Sequence, residues 1–226
     1  MGLIVYGIGA SQPVRAVLFL LDMKGVQYEF KAVMPPKETH SPEFLKLNPS
    51  ATVPVLVDDD FVLSESHAIL TYLCNKYQWT DLYPTDLQRR AKVDHYLNWH
   101  HTNTRNISMT LFVEVFRPDL ITYKDKDAAI QKLKPVLAII EGWLTEHKYI
   151  TGSQLTIADL SAYAEIGQLT SSFLTLADYS AYPNLCKWIS HMQTQPGHDS
   201  SHKGLLKLKG FAEKRKAKLN IIPAKL

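Results

Sequence analysis

The chain has 226 residues, of which 46% are hydrophobic and 21% are charged, with a formal net charge of +3. This composition is typical of a globular protein with one or two domains and excludes a disordered or collagen-like chain. No apolar stretch approaches the length of about 18 residues that a membrane span needs, and we expect neither a membrane partner nor a secretory signal. Two cysteines are too few for a disulfide framework, so we expect a reducing compartment such as the cytoplasm.

Positive charge is concentrated near the end of the chain. Residues 203–226 contain eight basic residues and one acid, Glu213, so this segment carries +7 and the rest about −4. A basic segment can attract phosphates or anionic surfaces. Because repeated aromatic residues do not alternate with these charges, we expect a solvated helix end and no nucleic-acid partner.

The first 77 residues alternate strand-like and helix-like stretches. Apolar residues predict strands at 3–6 and 28–33, and helical spacing predicts a helix over 12–23 between them. This βαβ unit requires parallel strands. An antiparallel hairpin around Asp58 and a helix over 64–77 are predicted next.

The pattern changes after a linker at residues 78–86. Helical periodicity dominates from residue 87 to residue 192, and no strand-like alternation is visible there. Pro135 lies inside one apolar stripe and is expected to kink or split that helix. We therefore predict a small α/β domain over 1–78 and a larger all-α domain over 87–226.

Three short segments coincide with these elements. Residues 11–15 (SQPVR) open the first helix, residues 52–56 (TVPVL) open the third strand, and residues 64–69 (SESHAI) open the third helix. Together with the helical second half, they resemble the glutathione transferases, and residues 90–101 (RAKVDHYLNWHH) are most similar to the theta class. The resemblance implies a thioredoxin-like N-terminal domain, an all-helical C-terminal domain and a homodimer with residues 89–105 near its interface.

Ser11 follows a parallel strand and opens a helix, at the edge where ligands bind in α/β folds. The helix N-terminus offers unpaired N–H groups and partial positive charge, so it stabilises an anion. A hydroxyl that donates to a thiolate contributes about 1.5–3 kcal/mol, which lowers a thiol pKa by about one to two units. The residues alone also allow Ser11 to be only a helix cap. The resemblance implies that Ser11 activates the thiol of glutathione, the cosubstrate, and leaves Tyr6 as a strand residue.

The resemblance also assigns the contacts to glutathione. It implies a cis peptide bond at Val53-Pro54, whose open backbone pairs with the extended tripeptide. It places the γ-glutamyl group at Glu65-Ser66, in the first turn of a helix. A trans proline and a helix cap at Ser64 are the alternatives. His40 matches the position that contacts the glycine carboxylate.

Arg105 matches a theta-class position that faces the electrophile. A fixed cation there favours anionic leaving groups, and a surface or interface arginine is the alternative. His100 and His101 are neighbours on a helix and are expected to face different ways. His198 and His202 have the spacing of metal ligands, but no third ligand is evident, so we expect no metal.

The last three residues, Ala224-Lys225-Leu226, resemble a peroxisomal address of the Ser-Lys-Leu type. Three residues are a signal of low specificity. Because we expect the basic tail to be exposed and therefore readable, the peroxisome stands beside the cytoplasm as a predicted location.

The sequence therefore predicts a glutathione transferase that conjugates the glutathione thiolate to electrophiles. The resemblance suggests halides, sulfate esters, epoxides or organic hydroperoxides as these electrophiles. A non-catalytic protein of the same fold, which binds apolar ligands or serves as an assembly module, is the alternative. A glutathione-dependent thiol reductase would need cysteine where Ser11 stands.

Overall fold

The structure is a computed structural model that describes residues 2–226. The first third of this described chain forms a four-stranded sheet with helices, and a short 3₁₀ turn at Glu38–His40. Its elements are β1 (Leu3–Gly7), α1 (Gln12–Met23), β2 (Tyr28–Ala32), α2 (Pro42–Leu47), β3 (Val55–Asp58), β4 (Phe61–Ser64) and α3 (Ser66–Lys76).

The sheet has the strand order β2-β1-β3-β4. β1 and β2 are parallel, whereas β3 runs antiparallel to both β1 and β4. The predicted βαβ unit and the predicted hairpin are therefore confirmed. Tyr6 lies in β1, as expected, and its ring packs edge-on against Phe44 with ring centroids 6.4 Å apart.

The remainder of the chain is mainly helical. Its elements are α4 (Leu87–Thr102), α5 (Thr104–Phe116), α6 (Lys126–Gln131), α7 (Leu133–Glu146), α8 (Ile157–Ile166), α9 (Pro183–Gln193), α10 (His198–Leu206) and α11 (Lys209–Leu219), with two-residue strands β5 (Ala177–Asp178) and β6 (Ala224–Lys225). Pro135 does split its stripe: α6 ends at Gln131, and Pro135 lies in the first turn of α7. The missing N–H of proline removes no helical hydrogen bond in a first turn.

α1 connects the sheet to the helical domain. One side of α1 contacts α3, and the other side contacts α8 and α10. Residues 16–21 of α1 are therefore buried around the whole helix rather than along one stripe. A helix that is apolar on all sides is stable only when neighbours cover it completely.

α8 begins with a capping box, as the spacing of Thr156 and Asp159 predicts. Asp159 Oδ2 accepts a hydrogen bond from Thr156 N at 3.0 Å, and Asp159 Oδ1 accepts from Trp188 Nε1 at 3.0 Å. Asp159 thereby fixes the start of the helix that packs against α1, which is a folding role.

The prediction of an exposed C-terminal tail is wrong for Ala224 and Leu226. Residues 209–219 form the basic helix α11, but the segment after it folds back as β6, parallel to β5. Ala224 N donates to Leu176 O at 2.9 Å, and the side chains of Ala224 and Leu226 are each only 7% exposed. Both residues are apolar and pack beside β5, so Ala224 and Leu226 of the tripeptide are covered, whereas Lys225 is exposed.

Candidate functional site

Ser11 stands at the N-cap position of α1 with an extended backbone (φ −71°, ψ 130°). Its backbone N–H donates to Ile8 O at 2.9 Å, and its carbonyl accepts from Arg15 N at 2.9 Å. Its side chain makes no capping hydrogen bond. The hydroxyl therefore remains available at the positive end of a twelve-residue helix.

Arg15 holds the loop that carries Ser11. Its guanidinium is completely buried and donates to the carbonyl of Ala10, to Ala164 O at 2.7 Å and to Gln168 Oε1 at 3.0 Å. Burial lowers the pKa of Arg15 to about 10, and the nearby carboxylate of Glu165 opposes that shift. The arginine remains charged at neutral pH and connects the Ser11 loop to the helical domain.

Val53 and Pro54 are joined by a cis peptide bond, as expected. The preceding turn is held by Asn48, whose Nδ2 donates to the Thr52 carbonyl at 2.9 Å and lies 3.0 Å from Thr52 Oγ1. Strand β3 begins only at Val55, so Val53 lies outside the ladder of the sheet. Its backbone is therefore open to pair with an extended ligand.

Glu65 immediately precedes α3 and adopts a left-handed backbone (φ 69°, ψ 111°). This conformation costs a non-glycine residue about 1–3 kcal/mol. Ser64 belongs to β4, so the alternative in which Ser64 caps this helix is not formed. The backbone N–H groups in the first turn of α3, which begins at Ser66, have no partners within the helix. They are therefore suited to bind an anion.

A cavity of about 180 Å³ lies between the two domains and brings most of the predicted residues together. The predicted residues that line it are Val53, Pro54, Glu65, Ser66 and Arg105. Ser11 does not line this cavity, but Pro13 of the same helix start does. His40 lies apart, exposed in its 3₁₀ turn, with Nδ1 2.7 Å from Pro36 O.

Four titratable residues that sequence reasoning did not assign to the site also line the cavity: His67, His100, His101 and Glu165. The expectation that His100 and His101 face different ways is wrong. Their ring centroids are 5.9 Å apart, and both rings contact His67, at 4.8 and 4.7 Å. Successive side chains leave a helix about 100° apart. A histidine side chain is long enough for both rings to reach the same partner.

Arg105 forms an ion pair with Glu165, with 2.7 Å between Nη1 and Oε1. Glu165 is 2% exposed, whereas the Arg105 side chain is 35% exposed. Burial alone would raise the pKa of Glu165, but Arg105 and His100 outweigh it, and the pKa falls to about 2. The ionised carboxylate fixes a partly exposed guanidinium at the edge of the cavity.

His67 is neutral at pH 7. Burial and the neighbouring His100 and His101 lower the pKa of His67 to about 3. Burial and His100 also lower the pKa of His101. His67 therefore contributes no positive charge to the cavity, whereas the guanidinium of Arg105 does.

His198 and His202 stack in the core, with ring centroids 4.7 Å apart. His198 Nε2 lies 2.8 Å from the Tyr163 hydroxyl, and His202 Nδ1 lies 2.9 Å from His198 O. Across residues 2–226, no cluster of ligating side chains is arranged to hold a metal ion. Over the same range, none of the helices combines the length and apolar character that crossing a bilayer requires.

Comparisons with known proteins agree with this geometry. The family models "Glutathione S-transferase, N-terminal domain" and "Glutathione S-transferase, C-terminal domain" match residues 5–81 and 104–196. Human glutathione S-transferase theta-1 is 33% identical over 222 residues, covering 93% of this chain and 92% of the relative. Glutathione S-transferase T1 of Arabidopsis thaliana is 36% identical over 233 residues, covering 95% and 94%.

Solved structures give the same result. A human theta-class glutathione transferase, in complex with the glutathione conjugate of 1-menaphthyl sulfate, has a TM-score of 0.83 at 30% identity, covering 99% of this chain and 94% of that one. A delta-class glutathione transferase of Nilaparvata lugens has a TM-score of 0.80 at 33% identity, covering 95% and 99%.

The two-domain fold and the cleft define a transferase that takes glutathione as its cosubstrate. The chain belongs to the glutathione S-transferase family. Its homologues are theta-class enzymes, and its activity is the conjugation of glutathione to electrophilic substrates.

Proposed function

We propose that this transferase is of the serine type, with Ser11 donating a hydrogen bond from its hydroxyl to the glutathione sulfur. The observation that carries the proposal is the uncommitted Ser11 side chain at the N-terminus of α1. The hydroxyl and the helix end both favour the thiolate over the thiol. The thiolate then attacks the electrophile, forms a carbon–sulfur bond and expels the leaving group with its electron pair.

The proposed glutathione site uses three further parts of the first domain. The cysteinyl backbone pairs with the open backbone of Val53, before the cis bond to Pro54. The γ-glutamyl carboxylate accepts from Ser66 and the first turn of α3, and Glu65 receives its ammonium group. We place the glycine carboxylate at the exposed ring of His40, in the 3₁₀ turn.

Arg105 is proposed as the residue of the electrophile site. Its guanidinium is held by Glu165 and remains partly exposed beside the cavity. A fixed cation stabilises negative charge that develops on a departing halide or sulfate. We therefore propose halides and sulfate esters as preferred substrates for conjugation and epoxides as further ones. Organic hydroperoxides would instead be reduced to alcohols, with a second glutathione completing the disulfide and releasing water.

The proposal is tested by steady-state kinetics of the full-length protein with glutathione and 1-menaphthyl sulfate. We expect Ser11→Ala to lower kcat/KM by about 10²-fold or more, since one donor to a developing or stabilised anion contributes on that scale. Ser11→Thr, which retains a hydroxyl, is the matched control and should keep most of the activity. An Ser11→Ala enzyme as active as the wild type would leave Ser11 without a catalytic role.

We further propose a homodimer with residues 89–105 near its interface, domains divided as 1–78 and 87–226, and a cytoplasmic location. Burial of Ala224 and Leu226 favours the cytoplasm over peroxisomal import, because a receptor needs the tripeptide free. Sedimentation at several concentrations tests the dimer, and imaging of the untagged protein with an antibody tests the location.

A further inference from the structure

His67 directly follows Ser66, and its ring crosses the boundary between the two domains. His67 Nε2 lies 2.7 Å from Ser161 Oγ in α8. Its ring also contacts those of His100 and His101. The proposed binding of glutathione uses Ser66 but leaves this neighbouring side chain without a role.

A line of polar contacts continues from Ser161 to the electrophile side. Ser161 Oγ lies 3.3 Å from His100 Nδ1. His100 Nε2 lies 3.7 Å from Glu165 Oε1, longer than a hydrogen bond, and that oxygen is the one that holds Arg105 at 2.7 Å. The contacts thus join the first turn of α3 to Arg105.

Ser161 Oγ is the atom that joins the two rings, because it contacts a ring nitrogen of His67 and a ring nitrogen of His100. A hydroxyl donates one hydrogen bond and can accept others, so the orientation of the Ser161 hydroxyl depends on both histidines.

Burial makes these contacts sensitive to one another. Ser161, His100 and Glu165 are 3%, 5% and 2% exposed, so water does not readily replace a lost partner. Arg105 is the most exposed member, and without a fixed carboxylate its long side chain would be free to turn toward solvent.

We propose that His67 is a positioning residue for the electrophile site: through Ser161 and His100 it orients Glu165, and so holds the guanidinium of Arg105 beside the cavity. This inference rests on the proposed role of Arg105. In this proposal His67, which follows the proposed glutathione contact Ser66, affects the binding of the electrophile.

The first test compares His67→Leu with His67→Gln, whose amide can donate to or accept from Ser161 Oγ in place of the ring nitrogen. We expect His67→Leu to raise KM for 1-menaphthyl sulfate about fivefold to tenfold while KM for glutathione stays within about twofold. His67→Gln should restore most of the loss. A rise in KM for glutathione with no change for the sulfate ester would overturn the proposal, because His67 would then act on the glutathione turn.

A double-mutant cycle with Arg105→Met identifies the route of the effect. If His67 acts through Arg105, His67→Leu should have little further effect on KM for the sulfate ester in the Arg105→Met background. Equal effects in both backgrounds would contradict the proposal. Ser161→Ala interrupts the same line without changing α3, and it replaces His67→Leu if that variant does not fold.

Binding of inorganic sulfate, measured by calorimetry with glutathione absent, separates this inference from the proposed function. We expect the affinity for sulfate to fall in His67→Leu. It should stay unchanged in the control His191→Gln, because His191 contacts Tyr149 and does not line the cavity. Equal sulfate affinity in wild type and His67→Leu would refute the positioning role. If the wild-type protein binds sulfate but forms no glutathione conjugate with 1-menaphthyl sulfate, the proposed electrophile is refuted instead.

Discussion

Arg15 in α1 donates a hydrogen bond to the carbonyl of Ala164 in α8 at 2.7 Å, although 149 residues separate the two in sequence. The same guanidinium holds the carbonyl of Ala10, the residue before Ser11. The position of the loop that carries Ser11 therefore depends on the helical domain, and the two domains share one hydrophobic core.

Replacing Arg15 should affect both stability and catalysis. In Arg15→Met, three carbonyl or amide oxygens lose their donor, and the buried Glu165 loses a compensating charge. We expect the free energy of unfolding to fall by about 3–5 kcal/mol. Urea titration measures this loss, and kinetics at a temperature where the variant is folded should show a lower kcat. Full stability in Arg15→Met would mean that the buried guanidinium does not connect the domains.

Gly204 in α10 lies against the loop before Ser11. A Cβ added at Gly204 would lie 2.5 Å from the carbonyl carbon of Gly9, which is backbone and cannot turn away. We expect Gly204→Ala to destabilise the protein by about 1–3 kcal/mol and to weaken thiol activation by moving Ser11. Gly142→Ala in α7 meets nothing within 4 Å and is the matched control. Thermal unfolding and glutathione titration of both variants test the contact, and two equally stable variants would contradict it.

The Arg105–Glu165 pair predicts a pH dependence. The pKa of Glu165 is about 2 in the folded protein, below its ordinary value of 4.5. Its contribution to stability is therefore present above pH 4.5 and is lost as the pH falls toward 2. Arg105→Met should lower stability at pH 7 by about 1–3 kcal/mol, since partial exposure screens the pair. It should also flatten the loss of stability below pH 4.5.

Urea unfolding at pH 7 and pH 4 checks this prediction. Lys24→Met is the control, because Lys24 pairs with the well-exposed Asp81 and should change stability by less than about 1 kcal/mol. An equal loss of unfolding free energy between pH 7 and pH 4 in wild type and Arg105→Met would show that Arg105 does not stabilise the charge of Glu165.

His202 predicts a second acid effect. Burial and the nearby Arg15 lower its pKa to about 2, below the ordinary value of 6.5. Between these values the unfolded chain takes up a proton that the folded chain does not, so stability falls as the pH falls below 6.5. His202→Asn, which retains a donor near Nδ1, should reduce the loss between pH 6.5 and 5.5 by about 1 kcal/mol. The same loss in both proteins would mean that His202 is protonated in the fold.

The sequence predicted the elements that depend on local pattern. The βαβ unit, the hairpin and the helix cap at Thr156 follow from apolar spacing and turn residues, and the structure contains all three. Glu165 gave no signal, because its partner Arg105 is 60 residues away and only the tertiary fold brings them together.

Long-range contacts also explain the failures. Helical geometry directs the side chains of His100 and His101 away from each other. Both rings nevertheless pack against the ring of His67, which belongs to the other domain. The basic composition predicted an exposed tail, yet Ala224 is covered because the end of the chain pairs with β5, about 45 residues earlier in sequence. The role of Ser11 depends on a ligand that neither the sequence nor the fold contains.

The most direct test of the account is the pKa of the glutathione thiol in the binary complex. Ultraviolet difference titration near the thiolate absorbance should give a thiol pKa in the wild type about one to two units below that in Ser11→Ala. The same thiol pKa in both complexes would contradict the central claim that the Ser11 hydroxyl stabilises the thiolate.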